Sequence, residues 1–256
     1  MRRFCVLFSL VVVLVFIGSA FAVVVPDGIY PEARYEFEGS FEDTTGNGYG
    51  GASIGDAHIE SWDFIPQSGY LVLDGDDDAV EIPRIGHDAE TFLNEFTYAI
   101  SIYPTVDLAV GDGPTGIINH DGSDYGSIHL EIDQGRLNLG IGGGGADLVG
   151  SIVMEPNEWT HISVTLSTTQ MALYVNGELD TFMTIETPVD VILGEGLIGA
   201  WRNDTGEIQN EFTGLIDDVR IYSVGFSSEQ VSQLIPEPAT VFLLGLGCLV
   251  LLRRRY

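Results

Sequence analysis

Residues 159–177 read Trp159-Thr160-His161-Ile162-Ser163-Val164-Thr165-Leu166, then Ser167-Thr168-Thr169-Gln170, then Met171-Ala172-Leu173-Tyr174-Val175-Asn176-Gly177. The first and third pieces are rich in β-branched and aromatic residues, which suit a pleated, half-buried surface. Asn176-Gly177 closes the stretch with residues that accept positive φ cheaply, as a hairpin turn requires. Working outward, runs of the same kind recur at 33–37, 70–73, 79–82, 96–103, 128–132, 136–141 and 215–222. Asn47-Gly48, Asp74-Gly75, Asp121-Gly122 and Gln134-Gly135 punctuate them. The pattern predicts an all-β body over residues 23–235, within the roughly 200–250 residues that a sandwich uses as one domain. One short helix is predicted near its end, with Ser227 or Ser228 capping Glu229 to Leu234 and Gln230 in capping-box spacing to Ser227. The glycine run 142–145 lies between strands with no helix after it, so it reads as a flexible turn rather than a phosphate cradle.

Charge narrows the function classes. The chain of 256 residues carries 38 Asp and Glu against 10 Lys and Arg, a formal net charge of -28. No lysine occurs, and half of the arginines sit at the two ends. The body therefore holds five arginines, Arg34, Arg84, Arg136, Arg202 and Arg220, against nearly all of the acids. Nucleic acid is excluded as a partner, because binding a phosphate backbone needs a basic face to release counterions. Cys5 and Cys248 lie in the apolar ends, so the body has no disulfide, thiolate metal site or cysteine nucleophile.

Both ends read as addresses. Arg2 and Arg3 precede an apolar run from Phe4 to Ile17, and Ala20-Phe21-Ala22 has the spacing that signal peptidase accepts. Residues 1–22 are thus expected to be a signal peptide with a signal helix. Residues 236–256 begin Pro236-Glu237-Pro238, continue through a short Gly-containing apolar run and end Arg253-Arg254-Arg255-Tyr256. That run is short for a ~30 Å hydrocarbon core, and the arginines would hold its end cytoplasmic as a short transmembrane helix. A plain single-pass tail anchor is one reading. The three features in this order resemble the PEP-CTERM sorting signal of Gram-negative bacteria. The resemblance implies membrane anchoring, then cleavage by an exosortase and delivery to the cell surface or exopolysaccharide matrix.

The body resembles a family as well. Residues 34–39 (Arg-Tyr-Glu-Phe-Glu-Gly) with the turn Asp43-Thr44-Thr45-Gly46-Asn47-Gly48 are similar to the opening of laminin-G-like, concanavalin A-like jelly rolls. In the family's order follow Gly69-Tyr70-Leu71-Val72-Leu73-Asp74-Gly75 with 77–83, then Phe96-Thr97-Tyr98-Ala99-Ile100-Ser101, which lacks the family's tryptophan. Asn157-Glu158-Trp159-Thr160-His161-Ile162, Leu173-Tyr174-Val175-Asn176-Gly177 and Gly214-Leu215-Ile216-Asp217-Asp218-Val219-Arg220-Ile221-Tyr222 complete the set. The resemblance implies two antiparallel sheets packed as a jelly-roll sandwich over 33–234.

Candidate residues follow from it. Such jelly rolls often tie the first and last strands with a calcium ion, and the matching positions are Glu38, Asp43, Asn47 and Asp217; the alternative is a solvated acidic turn plus an aspartate bonded to backbone. Calcium is the one cofactor implied. Asp74, Asp76, Asp77 and Asp78 read as a solvated hairpin tip. Trp159 and His161 share a face, with the tryptophan expected in the sandwich core and the histidine bonded to backbone. His58, His87, His120 and His129 lack partners at zinc spacing. His129-Leu130-Glu131-Ile132-Asp133 resembles the start of the laminarinase-like E-x-D-x-x-E strand, but Gly135 and Arg136 stand where the further carboxylate belongs. The expectation is an exported, non-catalytic binding module for carbohydrate, with Tyr125 and Trp201 as possible sugar contacts. A structural or adhesive matrix protein and a polysaccharide-degrading enzyme are the alternatives. Signal peptidase, exosortase, the membrane before cleavage and extracellular polysaccharide are the expected partners.

Overall fold

The computed structural model describes residues 26–61, 68–86, 92–110, 113–120, 125–143, 147–203 and 205–235. Both terminal addresses lie outside these residues, as do His87, the Asp121-Gly122 turn and part of the glycine run. Among the described residues no helix is long and apolar enough to cross a membrane.

Among the described residues seventeen strands follow the short turn at Pro26–Gly28. The first five are β1 (Ala33–Tyr35), β2 (Ala52–Ile54), β3 (His58–Ser61), β4 (Gly69–Asp74) and β5 (Ala79–Ile82). Next come β6 (Phe96–Pro104), β7 (Thr115–His120), β8 (Ile128–Asp133), β9 (Arg136–Ile141), β10 (Asp147–Val153) and β11 (Thr160–Leu166). Then follow β12 (Gln170–Val175), β13 (Glu178–Thr184), β14 (Gly196–Ile198), β15 (Trp201–Arg202), β16 (Ile208–Gln209) and β17 (Thr213–Tyr222). An eight-stranded sheet runs β13-β12-β11-β6-β17-β4-β3, with β1 also paired to β17. A seven-stranded sheet runs β10-β9-β8-β7-β14-β5-β2, and β15 with β16 forms a separate two-stranded ribbon. The two large sheets pack face to face as the predicted antiparallel jelly-roll sandwich.

Alternation along each strand builds the core. In β8, Ile128, Leu130 and Ile132 are buried between the sheets while His129, Glu131 and Asp133 face outward. Leu137, Leu139 and Ile141 of β9 repeat this, and Ile100, Ile102, Ile162, Val164, Ile216 and Ile221 answer from the other sheet. Each such side chain contributes roughly 1.5–3 kcal/mol by leaving water. The register is pinned by tight hairpins: Gln134-Gly135 joins β8 to β9 at φ 48 and 76, and Asn176-Gly177 joins β12 to β13 at φ 49 and 74.

The outer face of the eight-stranded sheet is covered by the chain after β17. Tyr222, Phe226, Val231 and Leu234 bury there against Ala99, Ala172 and Tyr174. Helix α1 (Ser228–Ser232) has the predicted capping box between Ser227 and Gln230. It ends sooner than predicted, because Gln233 and Leu234 already bond three residues back and Arg220 Nη1 takes the Leu234 carbonyl at 3.1 Å.

Three sequence expectations change here. His161 is buried, but since Ile162 and Val164 fill the core, His161 lies on the covered outer face, and neither ring nitrogen has a hydrogen-bond partner. Trp159 precedes β11 and packs on Tyr103 at 5.5 Å rather than between the sheets. Asp78 is not a solvated tip: it is 1 % exposed, and its two oxygens accept from the Asp56 and Asp74 amides at 2.9 Å each. A buried carboxylate satisfied by backbone donors locks the β4–β5 hairpin to the turn after β2.

Candidate functional site

The outward residues of the seven-stranded sheet form a groove of about 240 Å³. Register explains the assembly: His129 faces Gly140 and Glu131 faces Asn138 across β8–β9, while Asp147 of β10 faces Gly140 from the other side. These residues, with Ile141, Gly142 and Trp201, line the groove. Gly140 leaves room at the centre, since a Cβ there would stand 3.1 Å from Asp147 Oδ1.

Trp201 comes from the β15–β16 ribbon, which folds over this face. Ile208 packs with Ala79, Leu197 and Ala200, and Arg202 Nη2 donates to Glu81 Oε1 at 2.7 Å. The indole stands edge-on to His129 at 5.9 Å. Its Nε1 proton is buried without a partner, as is Asn138 Oδ1. The groove is thus lined by an aromatic wall and polar side chains, two of whose polar atoms, Trp201 Nε1 and Asn138 Oδ1, are buried and unpaired. Glu131 is half-buried and has no hydrogen-bond partner among the described residues; burial, then the charge of Asp133, pushes its carboxyl up. The E-x-D pattern ends as the sequence suggested, because β8 turns into β9 directly after Asp133.

At the Gly142 end stands an exposed aromatic pair, Tyr125 and Phe92, edge to face at 5.6 Å. Tyr125 packs on Gly143, and its hydroxyl donates to Asp190 Oδ2 at 3.3 Å. Of the two aromatic residues singled out from the sequence, Trp201 forms the groove wall and Tyr125 lies just beyond its end. Asn138 and Asp147 escaped sequence reading; alternation along β9 would have flagged Asn138, whereas the Gly-interrupted strand carrying Asp147 gave no period-two signal.

The four expected calcium ligands fall into two places. Asp43 Oδ1 accepts from the Arg34 and Thr45 amides at 3.0 Å each, and its Oδ2 accepts from the Tyr49 amide at 3.3 Å. Burial works against the ionised form, yet these donors and the Thr45 hydroxyl hold its carboxyl below the usual range. Asn47 Nδ2 donates to the Glu32 carbonyl at 2.9 Å. Both residues thus fasten the opening turn. Glu38 and Asp217 lie together instead: burial, then the charges of Asp218, Glu38 and Glu36, push the Asp217 carboxyl up to about 8, against a 2.6 Å bond from the Asp218 amide. Glu38 Oε2 also accepts from the Gly69 amide at 3.0 Å. A β-bulge puts Asp218 at φ 48, from which it pairs with the buried Arg220 and with Arg34. Among the described residues the trio with oxygens within 4.8 Å of one another is Asp56, Asp74 and Asp78, whose Asp78 is already filled by backbone donors.

No curated protein matches the chain. Among solved structures it is similar to domain 4 of AbnA, a GH43 extracellular arabinanase from Geobacillus stearothermophilus, in complex with arabinotriose. That match has a TM-score of 0.62 and 19% identity over 80% of this chain and 98% of the other. It is also similar to the binding domain of Paraclostridial Mosquitocidal Protein 1, with a TM-score of 0.65, 16% identity and 82% of this chain covered. A third is the botulinum neurotoxin serotype D ligand binding domain in complex with N-acetylneuraminic acid, at a TM-score of 0.63, 18% identity and 82% coverage of this chain. The chain spans about half of each toxin domain, 52% in both. At these identities the likeness is one of fold. The model of the concanavalin A-like lectin/glucanases superfamily matches residues 74–232, more than half of the chain, and the protein belongs to that superfamily.

Proposed function

We propose that the protein is an exported, non-catalytic carbohydrate-binding module that holds a glycan in the groove between Trp201, Glu131, Asn138 and Asp147. The observation that carries this reading is the aromatic wall of Trp201 beside the polar side chains of Glu131, Asn138 and Asp147 in an open groove. Sugars offer both an apolar ring face and hydroxyls that donate and accept, so such a lining suits them. The relatives of similar fold described as bound to arabinotriose and to N-acetylneuraminic acid support the same class of ligand. The non-catalytic part of the reading rests on the carboxylate pattern, which stops at Asp133 as β8 turns through Gln134-Gly135 into Arg136 of β9.

A glycan array with the full-length chain, in a detergent lacking a sugar head group, tests the reading. Saturable binding lost in Trp201→Ala is expected. Absence of binding to any glycan would favour a structural or adhesive matrix protein. A released-sugar assay with Glu131→Gln as control addresses hydrolysis.

The ends give this module its address in the same proposal. Residues 1–22 direct export and 236–256 anchor the chain until an exosortase of a Gram-negative bacterium cleaves it. Intact-mass measurement of the cell-surface product tests this, since retention of Arg253 to Arg255 would refute cleavage. A structural calcium ion belongs to the proposal at Glu38 and Asp217, neither of which has an ion-pair partner among the described residues, while Asp43 and Asn47 keep the neighbouring turn in place.

A further inference from the structure

The groove's charge is one-sided. Its lining contains two carboxylates, Glu131 and Asp147, one imidazole, His129, and no arginine, in a protein with no lysine. Among the described residues neither carboxylate has a hydrogen-bond partner. Asp133 adds a third negative charge on the same face of β8, next to Glu131. Arg202, next to Trp201, is bound to Glu81 at 2.7 Å. Arg136 stands across from Asp133 on the same outward face, exposed and outside the groove lining. Elsewhere in this molecule half-buried acids are met by donors: Asp43 by three backbone amides, Asp218 by Arg34 and Arg220. Glu131 is not, although it sits in an opening beside an indole.

A ligand entering such a groove exchanges water around Glu131 and Asp147 for its own groups. A uronate or sialate would bring a further negative charge toward uncompensated carboxylates. A neutral sugar would leave them solvated only by what hydroxyls it can donate. A sugar with a protonated amine supplies charge-assisted hydrogen bonds, about twice as strong as neutral ones. The indole face beside it favours a cation as well.

We infer that the groove selects a glycan with free amino groups, a de-N-acetylated hexosamine polymer, over its acetylated, neutral or anionic counterparts. The inference rests on the carbohydrate-binding reading above and narrows it. The ammonium group lies beside Glu131, Asp147 adds its charge from across the groove, and the sugar ring packs on Trp201.

The test is a binding titration of the full-length chain against glucosamine oligomers, their fully N-acetylated forms, neutral hexose oligomers and uronate oligomers of equal length, at low and high salt. The free-amine oligomer is expected to bind about 10- to 100-fold more tightly than the acetylated one at low salt, the range of one or two charge-assisted hydrogen bonds. The ratio falls at high salt, and Glu131→Gln and Asp147→Asn each lower it. Asp147 is exposed and has no hydrogen-bond partner among the described residues, so the second variant keeps the test clear of folding defects. Equal or weaker binding of the free-amine oligomer, with Trp201-dependent binding of another glycan, overturns the inference and leaves the carbohydrate-binding reading in place. Binding to no oligomer overturns both.

Discussion

Replacing His161 by leucine is expected to make the protein more resistant to acid. His161 is 6 % exposed, and neither ring nitrogen has a partner. Burial, with Arg220 nearby, pushes its pKa down to about 4, and Asp218 opposes this only in part. The unfolded chain holds the same imidazole near its ordinary value of about 6.5 and therefore binds the proton more readily than the folded one. Its contribution to stability is complete above about pH 6.5 and is lost as pH falls toward 4. The loss approaches the free energy of the shift, about 3 kcal/mol at pH 4. Leucine removes that dependence and fills a similar volume. It also removes two buried polar atoms that lack partners, a gain of about 1 kcal/mol at any pH.

The assay is thermal or urea unfolding of both proteins from pH 8 to pH 4 in chelator. The stability difference, variant minus wild type, should be nearly flat above pH 6.5 and grow by about 3 kcal/mol down to pH 4, or roughly 6–12 °C in Tm for a domain of this size. Asp217, pushed the opposite way, tilts both curves alike and cancels in the difference. His120, fully buried and also held at about 4 with only Nδ1 bonded to the Gly194 carbonyl at 2.7 Å, remains in both proteins. Both therefore still lose stability in acid, the variant less. A difference that stays constant with pH, or that favours wild type increasingly toward acid, refutes the assignment of His161 as a buried neutral imidazole.

Three further outcomes are expected. Asp217→Asn should abolish a calcium-induced rise in Tm; a wild-type protein whose Tm ignores calcium would remove the proposed ion. Gly196→Ala should destabilise by at least about 2 kcal/mol in urea unfolding, because its Cβ would collide with the Asn119 carbonyl in the middle of the seven-stranded sheet. Asp218→Ala should cost about 3–5 kcal/mol by stranding the buried Arg220, and an unchanged denaturation midpoint would show that Arg220 finds another partner.

The sandwich was legible because its central strands carry their own signal. β5, β9 and the pair β11–β12 alternate or run apolar between turn residues, and the two Gly-containing hairpins fix their register locally. The strands that sequence reading passed over lack that signal for physical reasons. β10 and β13 are edges with exposed Val149, Ile152, Leu179 and Phe182, and β10 buries only Leu148 and Gly150, so little apolar alternation shows. β14 is three residues long and is held entirely by neighbours distant in sequence. Local pattern cannot report such pairing.

The groove was legible only in fragments for the same reason. Glu131 attracted notice as half of a catalytic pattern, and Trp201 as a lone aromatic, but nothing in sequence joins residues 129–131, 138–147 and 201. Sheet order joins them: β8, β9 and β10 lie side by side, and the Arg202–Glu81 pair swings the ribbon carrying Trp201 across the same face. The acidity was legible in amount but not in use. Charge counting treats each aspartate as a solvated surface group, whereas Asp43 and Asp78 replace the backbone acceptors that turns would otherwise lack. In a body with five arginines and no lysine, amide donors are the main neutralising groups available. A half-buried carboxylate that has neither an amide nor a cation is then the place where such a protein has left room for a positive group from outside, and in the groove that carboxylate is Glu131.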